Sequence, residues 1–494
     1  MFGVLEVSVC GTALCVVYYI KEQYDYTVRK LPPGPSSLPL VGNAFNLDLK
    51  YPHRSLAELS KKYGDIFSVK LGTDRVVILN SSEVIKEAYR GRDIASRPQI
   101  YSLDLLMGDK GFMAASQDHE QWSIHTKLCM NAIRLVNDTT MNGKIMEEID
   151  YLVNQFNNKG KVAFDPKDDL MLASLNIICN LIYGQRYQKG DPELQNILHY
   201  SAEILKVISP LHPVNSMPWL RHFPNKWFDA LFKAKNMRDR TLMKKYVEHV
   251  AKYEDGKIND MVDALLHASK KAVSEKDEDA INALSPEHIV INMWVMFFAG
   301  SDTVMNTLLW ALLYMVTFPK VQAKVQDQID QEVGREQPVT MDHQKQLPYL
   351  NATICEIQRY SSQAVLGVPH CAATDTQVRG YTIPKGTQVL ANLWAVHHDK
   401  DCWKDPEEFR PERFLDDDGN MRNMSEFPHF MPFSTGRRVC LGRSIAKKEM
   451  FMVLGNLMQK FIFDSPVGEE PDLEGETLIS LVPKPFNIVV YKRV

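Results

Sequence analysis

The chain has no CxxC pair, no internal repeat, no long run of like charge and, after Gly42, no Pro/Gly/Ser-rich break. Its eight cysteines, at 10, 15, 129, 179, 355, 371, 402 and 440, are too scattered for a disulfide framework or a structural zinc site. The body is therefore expected in a reducing compartment, with each cysteine by default a small apolar filler. Lys and Arg number 57 against 61 for Asp and Glu, a net charge of −4, which argues against nucleic acid as a partner. Hydrophobic residues at 45% and charged ones at 24% exclude disordered, collagen-like and polytopic membrane chains. Length alone would allow about three domains. Without a second linker, however, 46–494 reads as one large domain.

What is present begins with an apolar stretch. Val7 to Ile20 carry no charge, and with Met1 to Leu5 they nearly reach the twenty or so residues that span a bilayer, interrupted by Glu6. No small-x-small cleavage site follows, and Lys21, Arg29 and Lys30 come next, so residues 1–20 are expected to be an uncleaved anchor helix with the body on the cytosolic side. Residues 21–45 follow as a basic, Pro-rich linker, in which Pro32, Pro33, Pro35 and Pro39 should make a stiff spacer. Helix-period segments dominate thereafter. Strands are expected at Ile66 to Lys70, Arg75 to Leu79, Gln377 to Ile383, Thr387 to Leu390 and Phe486 to Tyr491, giving a mainly α (α+β) class with small sheets.

One helix is unusual. From Ser285 at the N-cap and Pro286 at the first position, an apolar run continues to Pro319, the signature of a helix through the middle of a large domain. Its centre nonetheless carries Ala299, Gly300, Ser301, Asp302 and Thr303. A mid-helix Gly costs about 1 kcal/mol, and a buried Asp must be paired or solvated. Ala299 and Thr303 face the same way, four residues apart, and Thr303 could equally bond back to the carbonyl of Ala299 and bend the helix.

The second unusual segment is FSTGRRVCLG, in which Phe433, Gly436, Arg438, Cys440 and Gly442 precede an apolar helix from Arg443. Their residue types make sense together if Cys440 binds a metal as a thiolate. The glycines permit a tight turn and close approach to a flat ligand, the helix start lowers the thiol pKa, and Arg438 suits a carboxylate. At average residue frequencies such a window arises by chance on the order of once in 10⁴ chains of this length.

At these residues the chain resembles the cytochrome P450 family, microsomal animal type, over essentially its whole length; LPYLNATICEIQR through IPKGTQVLANLWAVHHDK is similar to the steroid 17α-hydroxylases. The resemblance implies a single helical domain with small β-sheets around a buried haem b, with Cys440 as the axial iron ligand. It implies catalytic roles for Thr303 and Asp302 in supplying and relaying protons, with Ala299 beside the haem. Arg438, Trp122, Arg97 and His370 would meet the haem carboxylates, although Trp122 could be core and His370 a turn residue. Where the family usually has Arg four residues after that Trp stands Thr126, flanked by His125 and Lys127, either of which could compensate. Glu356, Arg359 and Arg413 would form a buried structural network. ExxR also occurs at Glu87/Arg90, Glu332/Arg335 and Glu407/Arg410, so position alone selects the pair.

The implied activity is a monooxygenase using O₂ and two NADPH-derived electrons. No GxGxxG opens a helix after a strand, so the electrons should come from NADPH-cytochrome P450 reductase, with cytochrome b5 as a further candidate donor. Arg437, Arg443, Lys447, Lys448 and Lys127 could form the docking face, or a solvated charged surface. Phe297, Phe298, Ala299 and the Ala364 to Val368 segment should wall a pocket for an apolar steroid, fatty acid or xenobiotic. Pro218 to Phe228 could lie on membrane lipid. The expected location is the endoplasmic reticulum membrane, with the sequons at Asn80, Asn137, Asn351 and Asn423 unmodified. Rival readings are a reductase-independent haem-thiolate isomerase or dehydratase, and a non-enzymatic haem sensor or binding protein.

Overall fold

The computed structural model describes residues 4–39, 41–48, 50–108, 119–136, 138–208, 212–216, 222–477 and 480–493. Asn137 and part of the Pro218 to Phe228 segment lie outside these described residues. Seven helices frame the site: α1 (Val4–Thr27), α2 (Ser82–Arg90), α3 (His119–Leu135), α4 (Lys167–Tyr183), α5 (Pro286–Thr317), α6 (Pro348–Ser361) and α7 (Arg443–Lys460). The strands are short: β1 (Ile66–Leu71), β2 (Asp74–Leu79), β3 (His370–Cys371), β4 (Thr376–Val378), β5 (Tyr381–Ile383), β6 (Gln388–Ala391), β7 (Phe461–Asp464), β8 (Glu476–Thr477), β9 (Leu481–Val482) and β10 (Val489–Lys492). They form one four-stranded sheet in the order β1-β2-β6-β3 and three two-stranded ones. The class is mainly α with small sheets.

The expected Gln377 to Ile383 strand is a hairpin. Arg379 and Gly380 both have positive φ, 51° and 82°, which suits the tight turn that pairs Val378 with Tyr381. Helix α5 keeps its expected limits, although Ser285 caps it by backbone geometry without a side-chain bond. At 1.5 Å per residue it is about 48 Å long. Trp294, Trp310 and Tyr314 along it are among the largest fully buried or nearly buried side chains, so it forms the axis of an apolar cluster extending from Leu106 to Val490. It is also the described helix long and apolar enough to cross a membrane, but two-thirds of that window is buried inside the protein.

The N-terminal segment departs most from expectation. Helix α1 does not stop at Ile20 but continues to Thr27, across the expected anchor–linker boundary. Its last turns dock on the body through Glu22, 2% exposed, which accepts from the Ser37 hydroxyl at 2.6 Å and pairs with Lys70 Nζ at 3.0 Å. Lys70 Nζ also donates to the Tyr18 hydroxyl at 2.9 Å, and Arg75 lies 3.6 Å from Asp25. The Pro-rich stretch is likewise bound to the body: Ser68 of β1 donates its N–H to Pro33 O at 2.7 Å and its hydroxyl to Pro32 O at 2.9 Å. Gly34 permits this approach, since a Cβ there would lie 1.9 Å from Ser68 O.

Gly34→Ala should therefore lift the strap from β1 and cost about 1–3 kcal/mol. Gly143→Ala, at a helical position with open space around the added methyl, should be neutral or stabilising. Urea unfolding followed by circular dichroism distinguishes the two; equal effects would refute the packing argument.

Candidate active site

The centre of α5 departs from its buried flanks. Met293 to Phe297 and Val304 to Trp310 are buried, whereas Ala299 and Thr303 are exposed. The Thr303 hydroxyl donates to Ala299 O at 2.8 Å, and Ser301 does the same to Phe297 O at 2.9 Å, so two hydroxyls load the carbonyls of one turn. Gly300 has a packing reason that its own sequence neighbourhood does not reveal: a Cβ would lie 2.6 Å from Ile178 Cδ1, where α4 crosses α5. Asp302 accepts from Asn306 Nδ2 at 3.0 Å, and burial raises its carboxyl pKa against the pull of Lys167 and Asn306. Phe298 is half-buried beside Trp294, ring centroids 5.5 Å apart. Phe297, expected to wall the pocket, is 5% exposed and packs in the core, because it points to the other side of the helix from Ala299. Ala364 and Val368 are exposed.

Cys440 is also accessible, in the short segment that leads into α7. Its N–H donates to Phe433 O at 3.1 Å, closing the loop that Phe433 begins. Burial pushes the thiol pKa up, while the Gly442 and Arg443 amides and the Arg443 charge pull it down. The expected lowering by the helix start is therefore real as a contribution but outweighed in the chain alone. Gly436, with φ 75°, is required for a reason unrelated to a ligand: a Cβ would lie 2.1 Å from Tyr89 O on α2. A Cβ at Gly442 would meet nothing within 4 Å, which leaves open space beside the cysteine.

Trp122, Arg97, His370 and Arg438 come together although they lie far apart in the chain. The Arg438 guanidinium stacks over the Trp122 ring at 4.2 Å and donates Nε–H to Ala95 O at 2.7 Å. Arg97 donates to Val368 O and Pro369 O at 3.0 and 2.7 Å. Burial, then the neighbouring Arg97 charge, pushes Arg438 down to about 8, and burial pushes Arg97 down to about 10. Two adjacent buried cations strongly favour an anion beside them. His370 makes two contacts of its own. Its ring stacks on Tyr89 at 3.7 Å, Nδ1 lies 2.7 Å from Ile94 O, and burial followed by the Arg97 charge holds its pKa well below 6.5. Through these contacts His370 braces Tyr89 and the Ile94 loop. Near Thr126, whose buried hydroxyl lacks a partner among the described residues, His125 turns toward Asn292 and His288, and Lys127 is exposed.

Of the four ExxR pairs, Glu356/Arg359 is the one joined internally. Arg359 Nε and Nη2 meet the two Glu356 oxygens at 2.7 and 2.8 Å, both residues are fully buried, and Arg413 Nε reaches Glu356 at 3.1 Å. Glu87 pairs instead with Arg379, Arg335 with Asp330 and Arg410 with Asp405. Arg359 Nη1 donates to His397 O at 2.8 Å, and His397 Nε2 accepts from Met431 N–H at 3.1 Å, where the Cys440 segment begins. Nε2 being an acceptor, the proton sits on Nδ1 and is donated to Ser362 Oγ at 2.8 Å. Burial keeps His397 neutral, with a pKa well below 6.5. Sequence reasoning missed His397 and Tyr89, whose partners are 34 and 281 residues away in Met431 and His370.

The chain matches the family model "Cytochrome P450" over residues 32–490. It is 33% identical to a steroid 17-alpha-hydroxylase/17,20 lyase of Ictalurus punctatus, over 98% of this chain and 96% of that one. It is 34% identical to that of Squalus acanthias, over 98% and 97%, and 35% identical to cytochrome P450 1A1 of Rattus norvegicus, over 95% and 92%.

Glu356→Gln should cost about 3–5 kcal/mol by stranding Arg359 in the interior. Arg335→Gln, at an exposed pair, should change stability far less. Denaturant midpoints compare them, and equal losses would remove the network's structural role. A pH effect follows from His53, His370, His397 and His398, all held below 6.5 by burial first, His53 to about 4 and His398 to about 3. The unfolded chain takes up these protons below pH 6.5 and the folded one does not. Stability should therefore fall as pH drops below 6.5, by up to about 1.4 kcal/mol per unit for each histidine. A denaturant midpoint unchanged between pH 7.5 and 5.5 would contradict it.

Proposed function

The chain belongs to the cytochrome P450 family and is a monooxygenase that carries haem b, and from that premise we propose that it hydroxylates a steroid or similar apolar substrate with electrons from a separate NADPH-dependent reductase. The observation that carries this reading is the accessible Ala299–Thr303 turn in a helix buried on either side of it. Haem, when bound, supplies oxygen activation, which a thiolate ligand promotes. The residues present fit such a flat, dianionic group: an accessible cysteine, open space at Gly442 and the two buried guanidiniums of Arg438 and Arg97.

Cys440 would hold the iron, with the Gly442 and Arg443 amides stabilising its negative charge. Arg438, Arg97 and the Trp122 platform would orient the carboxylates. The Thr303 hydroxyl would leave Ala299 O and hold a proton at Oγ1 for the reaction. Asp302, its pKa raised by burial, would move protons toward it from the Lys167 side. Phe298, Ala364 and Val368 would bind the substrate and exclude water.

The exposed Arg437, Arg443, Lys447 and Lys127 support a basic docking face for the reductase, and for cytochrome b5 where it serves as second donor. The exposed Val16, Val17, Tyr19 and Ile20 of α1 support a single N-terminal anchor in the endoplasmic reticulum membrane, with residues 46–494 as the cytosolic catalytic domain. The 17-alpha-hydroxylase relatives support a steroid, and hydroxylation at position 17 is the specific activity to assay first.

Cys440→Ser should abolish the red-shifted Soret band of the ferrous carbonyl complex. Thr303→Val should keep that band and lower product formed with reductase and a turned-over steroid by about 10²-fold or more. A Cys440→Ser protein retaining the band, or a Thr303→Val protein with full turnover, would sink the respective assignment.

A further inference from the structure

The Cys440 loop is entered through a stiff segment. Pro432 fixes its own φ and restricts Met431 before it, so a shift of Met431 is passed on to Phe433. Met431 O accepts the Ser434 N–H at 2.9 Å, in a turn where Ser434 has φ 61°, and Phe433 O accepts the Cys440 N–H at 3.1 Å. The N–H of the buried Met431 goes to a side chain, His397 Nε2, 3.1 Å away. His397 ends the short helix Leu393–His397, which is fixed at both ends. At its start Asn392 Oδ1 accepts the Ala395 N–H at 3.2 Å, and Asn392 Nδ2 donates to His53 O and Asn80 Oδ1 at 2.9 and 3.0 Å. At its end Arg359 Nη1 donates to His397 O at 2.8 Å, and Ser362 Oγ, 2.8 Å from Nδ1, holds the ring by its other nitrogen.

A backbone N–H can only donate, so the ring atom that faces Met431 is an acceptor, and a neutral imidazole with its proton on Nδ1 supplies one. A Leu or Phe would fill the same place, 1% exposed, but leave a buried N–H unmet, a state that folded chains avoid. We propose that His397 is a positioning residue for the iron ligand: by accepting the Met431 N–H, its Nε2 sets the entry of the loop and with it the place of the Cys440 sulfur. This rests on the haem-thiolate reading of Cys440. The far side of the loop is held independently, by Arg438 Nε on Ala95 O at 2.7 Å and by the close approach of Gly436 to Tyr89 O. Losing the Nε2 acceptor therefore lets one end of the loop shift while the body stays folded, and the effect falls on the thiolate ligation of haem more than on the fold.

The test compares full-length holoproteins carrying His397→Gln, His397→Asn and His397→Phe. Gln can bring its Oε1 to the place of Nε2, Asn reaches only the place of Nδ1, and Phe offers neither. The readout is the rate at which the red-shifted Soret band of the ferrous carbonyl complex is lost at fixed temperature, measured beside the denaturant midpoint. The band should decay about tenfold faster or more in the Asn and Phe proteins and within about threefold of wild type in the Gln protein. Gly34→Ala, destabilised at the distant N-terminal strap, should lower the midpoint yet keep the band, which separates ligand positioning from a general loss of stability. Amide exchange of the wild-type holoprotein, read by mass spectrometry, keeps the test open if the Asn and Phe proteins yield no holoprotein: the Met431 amide should be protected relative to the exposed stretch 467–470. A band lifetime in His397→Asn within about twofold of wild type, a Gln protein that decays as fast as the Asn protein, or a Met431 amide that exchanges as fast as 467–470 overturns the proposal. A wild type without the band overturns the haem-thiolate reading itself, so the two failures are distinct.

Discussion

The Glu356 carboxylate is a full negative charge in the interior, and the surrounding architecture is organised to compensate it. Arg359 meets both oxygens, Arg413 and the Arg410 N–H approach one of them, and the guanidiniums lie against Trp403. The guanidinium hydrogens left over go to carbonyls of the 397–408 region: His397, Lys404, Asp405 and Glu408. A buried ion pair is weak evidence of net stability but strong evidence of constraint, because neither partner can move without stranding the other. That constraint passes through His397 to Met431 and so to the start of the Cys440 loop. A neutral imidazole is suited to this link, since it donates on one side and accepts on the other without adding charge to an already charged interior.

On the opposite wall the compromise is in the helix itself. Helix α5 needs an uninterrupted apolar surface to serve as the axis of the core, yet at its centre it must present a small residue and a hydroxyl to open space. It manages both by turning the hydroxyls of Ser301, Thr303 and Thr307 back onto carbonyls one turn earlier. Each hydroxyl is thereby satisfied within the helix. Gly300 belongs to the other side of the same turn, where the Ile178 side chain of α4 fills the place a Cβ would take.

Much of this is legible in the sequence, and what is legible is local. The limits of α5, the β1–β2 hairpin and the Phe433–Cys440 loop closure each depend on residues within one element. Position in the chain selects Glu356/Arg359 among four candidates, and the other three acids or arginines do have different partners. Sequence reading fails where tertiary contact decides. Gly300 and Gly436 look like concessions to a ligand, but Ile178 and Tyr89 account for them. Phe297 is separated from Phe298 by the 100° step of a helix. The Arg379–Gly380 turn is legible in hindsight, since a Gly after a residue that tolerates positive φ marks a two-residue hairpin.

In the N-terminal segment composition identifies stiffness but not what the stiff stretch binds. Prolines make the 31–39 stretch rigid, and rigidity without partners would give a spacer. Ser68, however, offers both a backbone and a hydroxyl donor to Pro32 and Pro33, carbonyls that a proline-fixed backbone holds outward for pairing. The bound strap brings Ser37 to Glu22, and Glu22 in turn to Lys70 on the strand after Ser68. A charged pair that is nearly buried at the base of an otherwise apolar helix cannot separate cheaply. Helix α1 is consequently carried by β1 at a set angle, and any tilt of that helix is a tilt of the sheet, whose other edge supplies His370 to the site.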